Sequence, residues 1–216
     1  MELEPRMTVL DALFLIQREQ DPSLAFRCSC RVGMCGTCAM SVDGVPRLAC
    51  RTRVELLRSG AVTVEPLPNL PVIKDLVVSL QPFFEQWKKV LPALHPAEPE
   101  AQQLVRVPAG SRYARLTPRR RDCIACGACF AACGIRGSNS AYLGPAAINK
   151  AFLRLMDPRD AAKRQRLEIL NEEYSGIWRC HTQFNCTAVC PKGIPLTDSI
   201  VRLKRAMLAP GAFLRA

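Results

Sequence analysis

Twelve cysteines stand in the 216-residue chain, and their spacing follows metal-ligand patterns. Cys30-x4-Cys35-x2-Cys38, with Cys50 after eleven further residues, is the plant-type pattern in which four thiolates hold a 2Fe-2S cluster. Gly33 and Gly36 suit a loop that must curl around such a cluster, because glycine accepts positive φ and lets backbone N–H groups approach the sulfides. Zinc is the alternative for four cysteines, but it favours two separated CxxC knuckles and this run contains one.

A second run, Cys123-x2-Cys126-x2-Cys129-x3-Cys133, has bacterial ferredoxin spacing, in which the fourth cysteine serves the other cluster of a pair. Its partner run is Cys180-x2-Gln183-x2-Cys186-x3-Cys190-Pro191, with glutamine where the second cysteine is due. The exchange rule then assigns Cys123, Cys126, Cys129 and Cys190 to one cluster and Cys133, Cys180 and Cys186 to the other. Four ligands suit a 4Fe-4S cube, and three suit a 3Fe-4S cluster. Cys28 is left over; it reads as a loop thiol, with displacement of Cys30 as the alternative. Gln183 or His181 could in principle offer a weak ligand to a fourth iron.

These runs need elements to hold them. Thr8-Val-Leu-Asp11 predicts a capping-box start to a helix reaching about Gln20, supported by apolar Val9, Leu10, Leu13 and Ile16. Ala39–Val42, the turn Asp43-Gly44 and Ala61–Glu65 read as short strands, with a hairpin at the turn. Pro66-Leu-Pro-Asn-Leu-Pro71 is too proline-rich for a helix or a central strand, which predicts two domains, 1–70 and 71–216. In the second, Val72 to about Lys89, Pro145–Met156, Arg159–Leu170 and Pro195–Leu208 have helical apolar spacing. Leu91 to Pro108, with Pro92, Pro96 and Pro99, is expected to wrap the surface. The fold class is α+β: a 2Fe-2S ferredoxin-like domain, then a mainly helical two-cluster domain.

Composition narrows the class further. Hydrophobic residues make up 49% against 23% charged, and no apolar run reaches the roughly 20 residues of a bilayer-spanning helix, which argues against disorder and a membrane span. Early acids and no apolar core in Met1 to Arg6 predict neither a secretory signal nor a transit peptide, and clustered cysteines in a reducing compartment point to metal rather than disulfides. Residues 1–70 balance eight basic against eight acidic side chains, so the formal +11 lies wholly in the remainder. A basic face could meet an anionic membrane, an acidic protein or nucleic acid.

With all three groups placed, the chain resembles the iron–sulfur subunit of succinate dehydrogenase and fumarate reductase over nearly its whole length. The matching stretches are Phe26-Arg-Cys-Ser-Cys-Arg-Val-Gly-Met-Cys-Gly-Thr-Cys-Ala-Met40, Leu48-Ala-Cys50, Pro66-Leu-Pro, Val72-Ile-Lys-Asp-Leu76, Leu143-Gly-Pro145 and Arg179-Cys-His to Cys190-Pro-Lys-Gly193. The resemblance implies a β-grasp domain followed by a helical two-cluster domain, with 2Fe-2S, 4Fe-4S and 3Fe-4S clusters in that order. It also implies partners: an FAD-containing flavoprotein subunit where succinate and fumarate interconvert, and a quinone at a membrane anchor, on the cytoplasmic face of the cell membrane. His181 becomes a candidate cofactor-binding residue near the 3Fe-4S cluster or the quinone. The family usually has some twenty more residues before Met7, forming a first hairpin, so a sheet truncated at its N-terminus is expected. After Cys133 the family typically has proline and, in succinate dehydrogenases, a tryptophan lining the quinone pocket, where this chain reads Gly134-Ile-Arg-Gly-Ser-Asn139.

No Ser-His-Asp set, phosphate loop or dinucleotide fingerprint is present, and with only His95 and His181 the chain itself is expected to carry no catalytic residue. A soluble fumarate reductase without quinone, including the thiol-dependent kind, keeps the same electron wire with different ends. A basic zinc protein binding nucleic acid is the reading from another class, motivated by Arg119-Arg-Arg121. Aromatic stacking platforms interleaved with basic residues are scarce, so nucleic acid is not an expected partner, and the triple arginine reads as a solvated face or a flavoprotein contact. Metal analysis of anaerobically purified protein should give about nine irons per chain from the three-cluster count, and zinc without iron would refute it.

Overall fold

The computed structural model describes residues 6–57, 61–96 and 106–209. Helix α1 (Val9–Glu19) opens as its sequence requires: the Thr8 hydroxyl accepts from the Asp11 amide at 3.2 Å while the Asp11 carboxylate accepts from the Thr8 amide at 2.9 Å. A loop carrying Cys28 to Cys38 leads into β1 (Ala39–Val42), which turns at Asp43-Gly44 into β2 (Val45–Leu48). Strand β3 (Val64–Glu65) pairs with the other edge of β1, giving an antiparallel order β2-β1-β3 among the described residues. Val9, Leu10 and Leu13 of the helix share one buried core with Met40, Val42 and Leu48 of the sheet.

Two expectations are corrected beyond the sheet. Ala61–Glu65 supplies only the two strand residues of β3, and the predicted helix from Val72 begins nine residues later. Val72–Lys74 and Val77–Val78 form a small hairpin, β4 and β5, with Asp75 at φ 47° between them. β-Branched residues at both arms favour the extended form, and Pro82 fits the first turn of a helix, so α2 is confined to Gln81–Lys89. Leu67, Leu70, Val78 and Phe83 pack into the same core as the first sheet, so apolar packing is continuous through the Pro66–Pro71 stretch.

The remaining chain is helical: α3 (Arg112–Leu116), α4 (Pro118–Arg121), α5 (Ala128–Ala131), α6 (Gly134–Ser138), α7 (Pro145–Met156), α8 (Lys163–Leu170), α9 (Asn185–Ala188) and α10 (Leu196–Leu208). Helix α8 starts four residues later than apolar spacing suggests, after a turn in which buried Asp157 receives the Arg159 guanidinium at 2.7 Å and 2.8 Å. Central helix α7 is buried along most of its length against α10, α8 and α2. Among the described residues no helix is long and apolar enough to cross a membrane.

Buried arginines pin this bundle. Arg120, from the triple expected on a solvated face, is buried; it pairs with Asp198, donates to Ser199 Oγ at 2.8 Å, and its carbonyl accepts from Asn149 at 3.1 Å. The reason is geometric: one turn of α4 presents Arg119 and Arg121 outward and turns the residue between them toward α7 and α10. Arg166, wholly buried, pairs with Asp160 and donates to the carbonyls of Val90, Leu91 and Ala93 at 2.7–3.2 Å. It thereby clamps the start of the Leu91–Pro108 stretch, of which 97–105 lies outside the described residues, as do residues 1–5 of the N-terminus. Arg166→Leu leaves the Asp160 carboxylate buried and unpaired, a loss of about 3–5 kcal/mol. Scanning calorimetry of the variant should show a thermal midpoint lower by roughly 10 °C.

Candidate metal centres

Loop geometry at the first run is set by sulfur–amide contacts. Cys30 Sγ accepts from the amides of Met34 at 3.2 Å and Cys35 at 3.3 Å, while Gly33 and Gly36 sit at φ 74° and 77°. The hairpin completes the set: Ala39 pairs with Leu48 and the Ala49 amide donates to the Cys38 carbonyl at 3.0 Å, which brings Cys38 and Cys50 side by side. The Cys35 thiol is lowered to about 6, first by the Thr37 hydroxyl at 2.6 Å and then by surrounding amides. Cys38 shows the opposite, pushed up to about 12 by burial beside Cys50 and Cys35.

The second group converges from two distant segments. Cys123 and Cys126 lie on a loop that reverses at Gly127 (φ 81°), Cys129 lies on α5, and Cys190 arrives from after α9; with Phe83 and Ile194 they line one small cavity. Burial raises all three thiols of the first segment, Cys126 to about 11 and Cys129 well above the ordinary thiol value, and each feels the charge of Cys190. A thiol in that position stays protonated unless a cation binds it, which is the condition under which iron ligation ionises sulfur outright.

Cys133 at the start of α6, Cys180, and Cys186 on α9 line a second small cavity together with Tyr142, His181 and Gln183. Burial raises Cys133, opposed by the amides of Arg136 and Ile135; it also raises Cys186, opposed by the Thr197 hydroxyl at 3.5 Å. The Tyr142 hydroxyl is fully buried within hydrogen-bonding reach of Cys180, and all three cysteines act on it electrostatically. A buried hydroxyl donor beside three thiols suits a site that holds anionic sulfur. Exposed His181 and Gln183 stand at the rim. Cys28 is half-buried against the first core.

The groups also touch in succession. A Cβ at Gly36 would stand 2.7 Å from Cys126 Cβ, so the first loop lies directly on the second, and Cys129 feels the charge of Cys186 in the third. Among the described residues no three His, Cys, Asp or Glu side chains close on one point as a single metal ion needs, whereas a polynuclear cluster spreads its thiolates over several irons. Sequence reasoning missed Tyr142, Arg136 and the Gly36 contact. The Leu143-Gly-Pro145 motif flags the vicinity of Tyr142, but nothing in the linear pattern marks Arg136 as buried.

Two family models match: a 2Fe-2S iron–sulfur cluster binding domain over residues 1–85 and a 4Fe-4S dicluster domain over residues 120–194. Succinate dehydrogenase iron–sulfur subunits are 41% identical over 93% of the chain in Oryza sativa (a mitochondrial ubiquinone enzyme) and 40% over 93% in Paracoccus denitrificans, with 71% and 76% of those proteins covered. The chain belongs to the iron–sulfur subunits of succinate dehydrogenase. A chain of the Mycobacterium smegmatis Sdh1 complex in the apo form superposes with a TM-score of 0.81 at 27% identity, covering 95% of this chain and 86% of that one. The succinate dehydrogenase family thus accounts for the 2Fe-2S ferredoxin-like first half and the helical second half alike. Gly36→Ala places a methyl against Cys126 in a left-handed residue, a strain of about 1–2 kcal/mol before the clash is counted. EPR of the reduced variant should show weaker magnetic interaction between the first two centres, with the third unchanged.

Proposed function

We propose that this chain is the electron-transfer subunit of a succinate:quinone or quinol:fumarate oxidoreductase, passing single electrons between an FAD-containing flavoprotein subunit and a membrane quinone. The carrying observation is the contact succession, in which Gly36 lies on Cys126 and Cys129 neighbours Cys186. We assign Cys30, Cys35, Cys38 and Cys50 to the 2Fe-2S cluster, Cys123, Cys126, Cys129 and Cys190 to the 4Fe-4S cluster, and Cys133, Cys180 and Cys186 to a 3Fe-4S cluster. Bound there, the clusters supply reversible one-electron chemistry.

The residues of the chain do the rest. Amides of Met34 and Cys35 stabilise the Cys30 thiolate, and those of Ile135 and Arg136 stabilise Cys133. Phe83, Ile194 and Leu196 keep water from the middle site. His181 is proposed to stand at the exit, beside Cys180 and toward the quinone.

We read residues 1–70 and 71–216 as two cluster-binding domains. The first, neutral in charge, docks on the flavoprotein. The basic second approaches a membrane anchor on the cytoplasmic face, where each nearby Lys or Arg adds about 1 kcal/mol of attraction to anionic lipid. Co-purification with a flavoprotein and an anchor tests the assignment, and an isolated, membrane-indifferent monomer holding all its clusters would favour a free-standing carrier. Gln183 occupies the place of the missing ligand and lines the same cavity as the three cysteines. Gln183→Cys should therefore let that centre take up a fourth iron and lower its potential. An unchanged oxidised three-iron EPR signal after reconstitution with excess iron would count against the ligand set.

A further inference from the structure

Arg136 lies in α6, three residues after Cys133. Its side chain is 6% exposed, and among the described residues no carboxylate pairs with it. One guanidinium nitrogen donates to the carbonyls of Ser140 at 2.5 Å and Tyr142 at 2.7 Å; Nε is buried with no partner. The guanidinium carbon lies 4.2 Å from the Phe130 ring centroid. Gly144, at φ 84°, leaves the room for this stack: a Cβ there would meet Phe130 at 3.3 Å and Arg136 Cδ at 3.7 Å. The charge is therefore held in place, and it is held dry.

A buried cation without a counter-ion is costly, and proteins retain one where an anion faces it. Burial pulls the Arg136 guanidinium down, and the groups that oppose this are Cys133 first and then Tyr142. Both border the cavity of Cys133, Cys180 and Cys186. The two other buried arginines, Arg120 and Arg166, each have a carboxylate. Arg136 alone of the three has no carboxylate; its amide reaches the Cys133 thiol and its guanidinium is held to the Tyr142 carbonyl at 2.7 Å, so the charge is anchored to two residues that line that cavity.

We propose that Arg136 is a potential-setting residue, a fixed positive charge that raises the reduction potential of the centre held by Cys133, Cys180 and Cys186. This rests on the ligand set proposed above. The couple concerned is a one-electron reduction in which no bond forms or breaks; the electron comes from the neighbouring four-cysteine centre and adds one negative charge beside the guanidinium. Attraction to a nearby fixed cation favours that more anionic state.

The test is an EPR-monitored redox titration of the intact complex in wild-type, Arg136→Met and Arg136→Lys forms, with the 2Fe-2S signal as internal control. Arg136→Met should lower the reduced-to-oxidised ratio of the three-iron centre at fixed poise about tenfold, equivalent to about 59 mV for one electron. Arg136→Lys should restore most of it, and the 2Fe-2S midpoint should not move. An unchanged midpoint in Arg136→Met, or equal falls in the Met and Lys variants, overturns the proposal. If Arg136→Met loses the centre, Ser140→Glu decides, since it places a carboxylate on an exposed residue whose carbonyl already binds the guanidinium. A fall in the ratio there supports the proposal and an unchanged ratio overturns it. Absence of any three-iron signal in the wild type would instead remove the ligand assignment on which the proposal stands.

Discussion

Keeping buried sulfur ionised is the constraint on which this structure depends. Burial, together with neighbouring cysteines, pushes Cys38 to about 12 and Cys126 to about 11, and raises Cys129 well above the ordinary thiol value. Such groups become thiolates only when a cation binds them. The elements that carry them are correspondingly slight: α5 and α9 have four residues each and α6 has five, far below the length at which a helix holds itself together. The longer helices α7 and α10, with their own apolar core, provide the frame on which the cysteine loops are hung.

In the proposed assignment the two sites of the helical half differ by one ligand, where Gln183 stands in the cysteine register. Their surroundings differ as well. The middle site is walled by Phe83, Ile194 and Leu196, whereas the last has exposed His181, Gln183 and Phe184 at its rim. That asymmetry suits a path that is closed in its interior and open where electrons leave.

Positive charge is likewise divided between surface and interior. The formal excess sits after residue 70, and the sequence pattern suggests a solvated basic face. Three of those arginines are inside. Arg120 and Arg166 tie helices and a proline-rich strap together through carboxylates and carbonyls, while Arg136 is stacked on Phe130 beside Cys133. A guanidinium can be buried this way because its donors spread over several carbonyls at once.

Local chemistry was written plainly in the sequence. The capping box at Thr8, the hairpin turn at Asp43-Gly44 and the start of α7 at Pro145 each depend on neighbours within a few residues, and the structure has them there. Cysteine spacing carries the cluster types because ligand geometry within a loop is also local. The stretch Val72 to Leu80 was misread, since an apolar run of β-branched residues fits either period until packing chooses between them. What only the tertiary structure decided is which other distant groups meet: Gly36 against Cys126, the Tyr142 hydroxyl beside the thiols of the last group, and Arg136 turned inward. Those contacts join residues many positions apart, so no pattern along the chain records them. They arise when the helical frame closes and brings the separate cysteine loops within reach of one another.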